Sequence, residues 1–454
     1  MYKRQADIRT SDHELVRRNW RKISGHVYPG AVVVDRTAVD SISDTLDVYL
    51  AADLGSQKAS RTIRGPLTIH VRNAPRRDDD LAFGDNLYLS SNHRIVADII
   101  TRQASGHRKT NLALLRHWLT VRASTYTPDL LTELRKKSKK LATDTGATEG
   151  DIETLDQLFD VLTGNTPASS TDSAAVQGLS RKLNLDSHRI TQFEGLATQL
   201  ADHTPTFGRL AASENEANSE IAFYESYFSN FIEGTEFDID EALEIVASGI
   251  APAERHEDGH DILGVYYCVK NAIGRRTPFT TEDNFISDIQ DRHNQIGEHR
   301  PNIDPGKWKT KTNKVGSYYF VDRDKVEGTL RAAAPIIHDT EPGFNRALLI
   351  MFIISEVHPF LDGNGRTARI FMNAELSAQD LSRIIIPSVY RSEYVTSLRK
   401  LSREGVADSF ISTMSFAWQW TALIDWDKPE QARGQIEATN AFDDPSDGSK
   451  LTLP

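Results

Sequence analysis

Along residues 1–125 the apolar positions come in short β-rich runs: His26–Tyr28, Ala31–Val34, Leu46–Leu50, Leu67–Val71 and Leu87–Leu89. Pro29-Gly30, Gly65-Pro66 and Gly84 punctuate them, and this spacing predicts strands joined by turns. Ser91–Ile100 reads as a capped helix start and Asn111–Arg122 as another helix, so a small α/β module is expected over 1–125. From Pro128 to Leu162 the period turns helical, and residues 126–204 are read as a helical segment plus linker. The linker itself is placed at 164–175, which is small and polar. Beyond it nearly everything follows helical spacing, apart from a β-like stretch at 311–321. The expected fold class is therefore mostly α: a helical part, bounded at 205–435, with one β-like stretch, preceded by the α/β module. The polar tail, 436–454, is expected to be disordered.

Composition narrows the picture only slightly. Apolar residues make up 39% and charged residues 26% of the 454, an ordinary globular balance. A single cysteine, Cys268, excludes an internal disulfide framework and a Cys-rich zinc site. The longest apolar run, Ala347–Ile354, is far short of the ~20 residues that cross a bilayer. With no basic-then-apolar opening segment, a cytoplasmic protein without membrane contact is expected. The net charge of −11 hides an asymmetry: residues 1–150 carry 25 basic against 17 acidic side chains, the rest 28 against 47. Such a split suits either a nucleic-acid-facing first third or two surfaces that simply differ.

The strongest chemical signal is the string His358-Pro359-Phe360-Leu361-Asp362-Gly363-Asn364-Gly365-Arg366-Thr367-Ala368-Arg369. An apolar helix, Phe344–Val357, precedes it, and helical spacing resumes at Thr367–Leu376. A Gly-Asn-Gly turn leading into a helix offers backbone N–H groups at the positive end of the dipole, an anion hole. Arg366 and Arg369 lie three apart, so both can face one phosphate chain. Asp362 is a hard oxygen ligand suited to Mg²⁺, and His358 can take a proton from a hydroxyl near neutral pH. Together these groups describe attack on a nucleotide phosphate.

The string resembles the signature of the Fic (filamentation induced by cAMP) family, His-Pro-Phe-x-Asp/Glu-Gly-Asn-Gly-Arg-x-x-Arg, at every specified position. That resemblance implies transfer of AMP from ATP to a Ser, Thr or Tyr hydroxyl of a target protein. It makes His358 the general base and Asp362 the Mg²⁺ contact. Gly363, Asn364, Gly365 and Arg366 take the phosphates, and Arg369 the terminal one. Gly365 stands where the related Doc-type kinases carry Lys, which favours nucleotidyl transfer over phosphorylation. Residues 369–394 resemble the helix, loop and helix that follow the family motif. Upstream, 305–320 resembles the lead into a β-hairpin flap that docks the target, with Lys314, Val315, Gly316, Ser317 and Tyr318 as flap residues. A histidine common one or two turns before the motif is missing, with Ile350 or a neighbour in its helix. The resemblance covers roughly 205–425.

A second motif, Ser229-Asn230-Phe231-Ile232-Glu233-Gly234, ends a segment that places Ile221, Tyr224, Phe228, Phe231 and Ile232 on one helical face. Gly234 is a natural helix terminator, and Ser229, four residues before Glu233, can steady its carboxylate. By itself this is a buried amphipathic helix with an exposed Glu. Beside a Fic signature it resembles the family's inhibitory motif, Ser/Thr-x-x-x-Glu-Gly/Asn, in which the Glu pairs with the last signature Arg, here Arg369. The resemblance thus implies a self-inhibited enzyme.

The first third resembles antitoxin-type transcriptional regulators of abortive-infection systems through His26-Val27-Tyr28-Pro29-Gly30, Val34–Ala38 and Leu87–Ser91. DNA contact through residues 1–150 and protein docking are both open, with no clean helix-turn-helix. Residues 1–5 give no sign of a domain start. Two alternatives stand beside the transferase: a nucleotide-sensing DNA- or protein-binding regulator of toxin–antitoxin type, and an AMP-removing enzyme in which Glu233 orients water. The sequence also leaves a homo-oligomer open.

Overall fold

The computed structural model describes residues 12–40, 46–55, 60–62, 67–101, 112–203, 210, 220–271 and 276–454. The chain divides into two compact units, Met1–Ala168 and Ser169–Pro454. The expectations on residues 1–5, Gly65-Pro66 and the start of the helical domain at 205 lie outside the described residues.

In the first unit the elements run α1 (Asp12–Val27), β1 (Val32–Val33), α2 (Asp35–Val39), β2 (Asp47–Ala52), β3 (Ser60–Thr62), β4 (Thr68–Asn73), β5 (Leu81–Gly84), β6 (Leu87–Leu89), α3 (Asn92–Thr101), α4 (Leu112–Ala123), α5 (Pro128–Asp144) and α6 (Glu149–Leu162). The strands form one mixed sheet in the order β3-β4-β2-β1-β6-β5. β1 pairs antiparallel with β2 (Val33 opposite Leu50) and parallel with β6 (Val33 opposite Leu89). Val33, Val48, Leu50, Ile69 and Val71 build one apolar face, onto which Val16, Trp20, Ile23 and Val27 of α1 pack. A buried ionic seam joins β4 to α3: Arg72 pairs with Asp98, and Arg94 pairs with Asp80 and, at 3.5 Å, with Asp98.

Several sequence expectations change here. His26-Val27 closes α1 rather than forming a strand, because Val16, Trp20, Ile23 and Val27 repeat at helical spacing. β3 and β5 were not anticipated; both are edge strands, and β5 is largely exposed. The single helical stretch after Pro128 is two helices. The second restarts on Thr148, whose hydroxyl caps Asp151 N–H while Asp151 reaches back. Both fall in the first unit, whereas 169–203 fall in the second, so the division lies at 168/169, inside the expected linker 164–175, and not near 125 or 205.

The second unit contains α7 (Ala174–Ser180), α8 (Ser187–Ala201), α9 (Ile221–Glu233), α10 (Ile239–Ser248), α11 (His256–Lys270), α12 (Glu282–Ile296), the hairpin β7 (Lys314–Val315) and β8 (Tyr318–Tyr319), α13 (Val326–Asp339), α14 (Phe344–Val357), α15 (Asn364–Ala378), α16 (Arg391–Glu404), α17 (Asp408–Leu423) and α18 (Pro429–Ala438). α14 is apolar on almost every face, with only Asn345 and Ser355 of its residues not buried, so it is the central helix. α8, α13 and α15 pack around it, and α9, α11 and α12 pack on α15. α9 is anchored by a buried pair, Glu225 to Arg383 at 2.5 Å, and by the Ser226 hydroxyl donating to Ile262 O.

The tail expected to be disordered is packed instead. Ala441, Phe442 and Leu451 join the aromatic cluster around Tyr224, Phe228 and Trp420, and Val389 N–H donates to Ala441 O. Ile436 is buried in the same cluster, and Thr452 N–H donates to Thr439 O.

Candidate active site

α14 ends where its sequence demands. Pro359 disfavours the right-handed helical conformation at the preceding residue, and His358 adopts a left-handed one, φ 51° and ψ 59°. Its Nδ1 lies 3.3 Å from Ser355 O. A carbonyl only accepts, so Nδ1 carries the proton and Nε2 keeps its lone pair. The Phe320 ring stacks on the imidazole at 3.9 Å. Burial first, and then the Lys309 ammonium, push the His358 pKa down to about 4, so the side chain is a neutral base at pH 7.

The loop after His358 is braced from three directions. Asn364 Oδ1 accepts from Phe360 N–H at 2.8 Å and its Nδ2 donates to Phe360 O at 3.0 Å. Asn313 Nδ2 donates to Phe360 O and Leu361 O. His293, fully buried on α12, donates from Nε2 to Asp362 O at 2.9 Å, accepts Gly306 N–H on Nδ1 at 3.0 Å and stacks on Phe360 at 3.6 Å. Gly363, at φ 74°, then turns the chain into α15, which starts at Asn364, three residues earlier than the spacing predicted. No side chain caps this helix, so its first N–H groups are available to an anion.

The two signature arginines have different partners. Arg369 donates from NH2 to Glu233 Oε1 at 2.7 Å and to Ser229 O at 2.9 Å, and from Nε to the Ser229 hydroxyl at 3.0 Å. The Ser229 hydroxyl therefore steadies the guanidinium rather than the Glu233 carboxylate. Gly234 ends α9 in the left-handed conformation, φ 96°, which fixes where Glu233 sits. Arg366 instead points at Asp261 of α11, 2.5 Å away, with Arg300 sharing that carboxylate at 2.8 Å. Sequence spacing suggested that both guanidiniums face one phosphate chain; Arg366 is committed to a buried pair, and its Nε has no hydrogen-bond partner among the described residues. The Asn364 side chain is likewise used in the loop, which leaves its backbone N–H for a ligand.

Asp362 is half exposed; Oδ1 accepts Gly363 N–H at 2.7 Å, and Oδ2 lies 3.5 Å from Arg366 and 3.9 Å from Arg300. Among the described residues no group of three or more His, Cys, Asp or Glu is placed to hold a metal ion. A lone exposed carboxylate beside an anion hole fits an ion that keeps most of its waters and takes its other ligands from phosphates.

These groups meet at a cavity of about 240 Å³ lined by His358, Arg369, Glu233, Gly365, Tyr394 and Leu398. Its outer wall is the hairpin, Val315 and Tyr318 facing the cavity and Gly316-Ser317 forming the turn. Lys314, Val315 and Tyr319 are exposed. Glu356, buried beneath the hairpin, accepts the Tyr318 hydroxyl at 2.7 Å, pairs with Arg189 at 3.2 Å and takes the Ser402 hydroxyl. Arg189 also donates to Tyr319 O at 2.8 Å. Sequence reading missed His293, Lys309, Asn313, Asp261 and Glu356. Only Lys309 and Asn313, inside the segment read as the lead to a flap, carried any signal. Ile350, in the place of the missing histidine, is buried in α14.

Comparison with known proteins points the same way. Residues 283–376 match the model of the Fic/DOC family. Over 184 residues, 39% of this chain, it is 25% identical to protein adenylyltransferase fic-1 of Caenorhabditis elegans, covering 36% of that protein. Over 236 residues, 50% of this chain, it is 27% identical to protein adenylyltransferase Fic of Drosophila erecta, covering 46% of it. The chain thus spans less than half the length of these curated relatives. A solved structure of Fic-1 from C. elegans aligns over 72% of this chain and 98% of that one, with 17% identity and a TM-score of 0.39. The signature string and the family match coincide on α14, the loop and α15, and residues 283–376 are the part of this chain that the Fic/DOC family model matches.

Proposed function

We propose that this chain is a protein adenylyltransferase that moves AMP from ATP to a hydroxyl side chain of a target protein, and that Glu233 restrains it. The carrying observation is the juxtaposition of a neutral His358, its Nε2 free, with the uncapped N-terminus of α15. The target hydroxyl gives its proton to Nε2 while its oxygen attacks the α-phosphorus, and pyrophosphate leaves. The N–H groups of Asn364 and Gly365 receive phosphate oxygens, Gly363 N–H being held by Asp362 Oδ1, and Arg369 serves the terminal phosphate once Glu233 lets it go. Mg²⁺, held by Asp362, would supply charge neutralisation on the phosphates. The hairpin at 314–319, with its exposed outer strand, suits pairing with an extended target segment.

The names of the relatives and the family match support this reading over a pure nucleotide sensor, which needs no base. A second reading, AMP removal, is favoured by one observation: Glu233 lines the same cavity as His358. Incubation with labelled ATP, Mg²⁺ and a lysate tests the first. Label on protein, lost in His358→Ala, supports it; no label with wild type or with Glu233→Gly overturns it. Pre-modified target without ATP tests the second.

The charge balance of residues 1–150, 25 basic against 17 acidic side chains, supports DNA contact, although Asp151, Glu153, Asp156 and Asp160 reduce the excess over the whole first unit. Ion pairs occupy Arg135, Lys137 and Lys139 of the basic cluster, while Lys136 and Lys140 are exposed. A cytoplasmic location and a homo-oligomer remain parts of the reading that the sequence alone motivates.

A further inference from the structure

We propose that Lys309 is a positioning residue of this reaction: it grips the backbone on both sides of His358 and so aims the imidazole. The inference rests on the reading of His358 as the base. Lys309 lies outside the 358–369 signature, in the segment that leads to the hairpin.

Two hydrogen bonds carry it. Lys309 N–H donates to Pro359 O at 2.8 Å, and Lys309 Nζ donates to Val357 O at 3.2 Å. The carbonyls immediately before and after His358 are therefore held by one residue. The residue between them needs holding. His358 is a non-glycine residue in the left-handed region, a conformation that costs about 1–2 kcal/mol and persists only where surroundings enforce it. Val357 O also belongs to the last turn of α14, where carbonyls lack helical partners and a cation is favoured by the dipole. Asn313, four residues on, continues the grip at Phe360 O and Leu361 O, so the segment leading into the hairpin and the loop bearing the base are docked as one unit.

A neutral donor could make the bond to Val357 O at lower cost, which singles out the charge. Lys309 is 3% exposed, and none of the ion pairs among the described residues includes it. Burial brings its pKa down to about 8, with Asp322 opposing and Arg189 reinforcing that shift. At pH 7 it is still an ammonium. The charged groups acting on His358 are Lys309, which disfavours the imidazolium, and Glu233 and Asp362, which favour it. The same side chain thus fixes the orientation of the base and opposes the two carboxylates, whose charge favours the imidazolium.

The test uses the full chain with Glu233→Gly as reference, to which Lys309→Met and Lys309→Arg are added. The His358 imidazole is followed by NMR in ¹³C-histidine-labelled protein, its signal assigned by its loss in His358→Ala. Lys309→Met is expected to raise the His358 titration midpoint by about one unit. It should lower kcat for AMP transfer at least tenfold at pH 7, with ATP Kd within twofold of the reference. Lys309→Arg should restore most of both. An unchanged midpoint and kcat in folded Lys309→Met would overturn the proposal, as would a loss that Lys309→Arg fails to restore. If Lys309→Met does not fold, Lys309→Gln, which keeps a donor without charge, is judged by the same midpoint. Because the titration needs no turnover, a chain that transfers no AMP at all would sink the transferase reading while the grip on His358 is still decided.

Discussion

Glu233 Oε1 sits 2.7 Å from Arg369 NH2, and it reaches that position only because residue 365 has no side chain. A Cβ added at Gly365 would collide with that oxygen and lie 3.1 Å from Arg369 NH1. The Ser229–Gly234 motif on α9 and the signature on α15 therefore share one glycine, 132 positions after Glu233 in the chain. The second signature glycine is also the position that admits the Glu233 carboxylate.

That geometry gives a double-mutant expectation. Gly365→Ala should cost wild type about 1 kcal/mol, because the Glu233 carboxylate must swing off Arg369 to admit the methyl group. In a Glu233→Gly background that collision is gone and only the 3.1 Å approach to Arg369 NH1 remains, so the cost should be smaller. Thermal unfolding of the four variants measures the difference. Equal effects of Gly365→Ala in both backgrounds would contradict the shared-glycine account.

The pH dependence of transfer should be unusual for a histidine base. His358 is neutral above about pH 4, so kcat in the Glu233→Gly variant should stay within twofold from pH 5.5 to 7.5. A base with the ordinary value of 6.5 would lose about ten of every eleven molecules by pH 5.5. A tenfold decline across that interval, with the protein still folded, would show that burial does not hold the imidazole neutral.

His293 links the same loop to stability. Burial holds its folded pKa at about 4, against 6.5 for the free side chain. Between those values the unfolded chain binds a proton that the folded chain refuses. Stability is therefore complete above pH 6.5 and falls as pH drops toward 4, by up to about 3 kcal/mol from this group; His358 acts in the same direction. Urea midpoints at pH 7.5 and 5 should show the decline. His293→Phe, which keeps the stacking on Phe360 but loses both hydrogen bonds, should start lower and decline less. A decline as steep as wild type would remove His293 from the linkage.

Metal dependence bears on Asp362. Asp362→Ala should abolish Mg²⁺ stimulation together with most transfer, and Mg²⁺ should no longer tighten ATP binding by calorimetry. Full Mg²⁺-stimulated activity in this variant would place the ion elsewhere.

The site was legible where its chemistry is contiguous. His358 to Arg369 lie on one turn and the helix it opens, so residue order alone brings them together, but it did not show that Arg366 turns to Asp261. Ser229–Gly234 was legible as a helix end, but that the Ser229 hydroxyl turns to Arg369 depends on how α9 meets α15, which spacing does not encode. His293 and Lys309 lie 69 and 48 positions from the carbonyls they hold, Asp362 O and Val357 O, and although Lys309 fell in the segment read as the lead to a flap, nothing in a local window marks either partner. The misread strand at His26–Tyr28 is different: the helical repeat Val16, Trp20, Ile23, Val27 was in the sequence, but a short β-branched run masked it. The packed tail depended on Ala441 and Leu451 meeting an aromatic cluster assembled from α9 and α17, which composition cannot show.

The most direct measurement is AMP transfer from labelled ATP by wild type, Glu233→Gly and Glu233→Gly with His358→Ala. Removing the carboxylate frees Arg369 and deletes a negative charge beside the phosphate site. Because Glu233 is one-third exposed, solvent reduces the penalty lost, and the expected gain is roughly 10- to 100-fold, including self-modification. The double variant should fall to background while binding ATP as tightly as Glu233→Gly. Equal transfer by wild type and Glu233→Gly, or undiminished transfer by the double variant, would contradict the account.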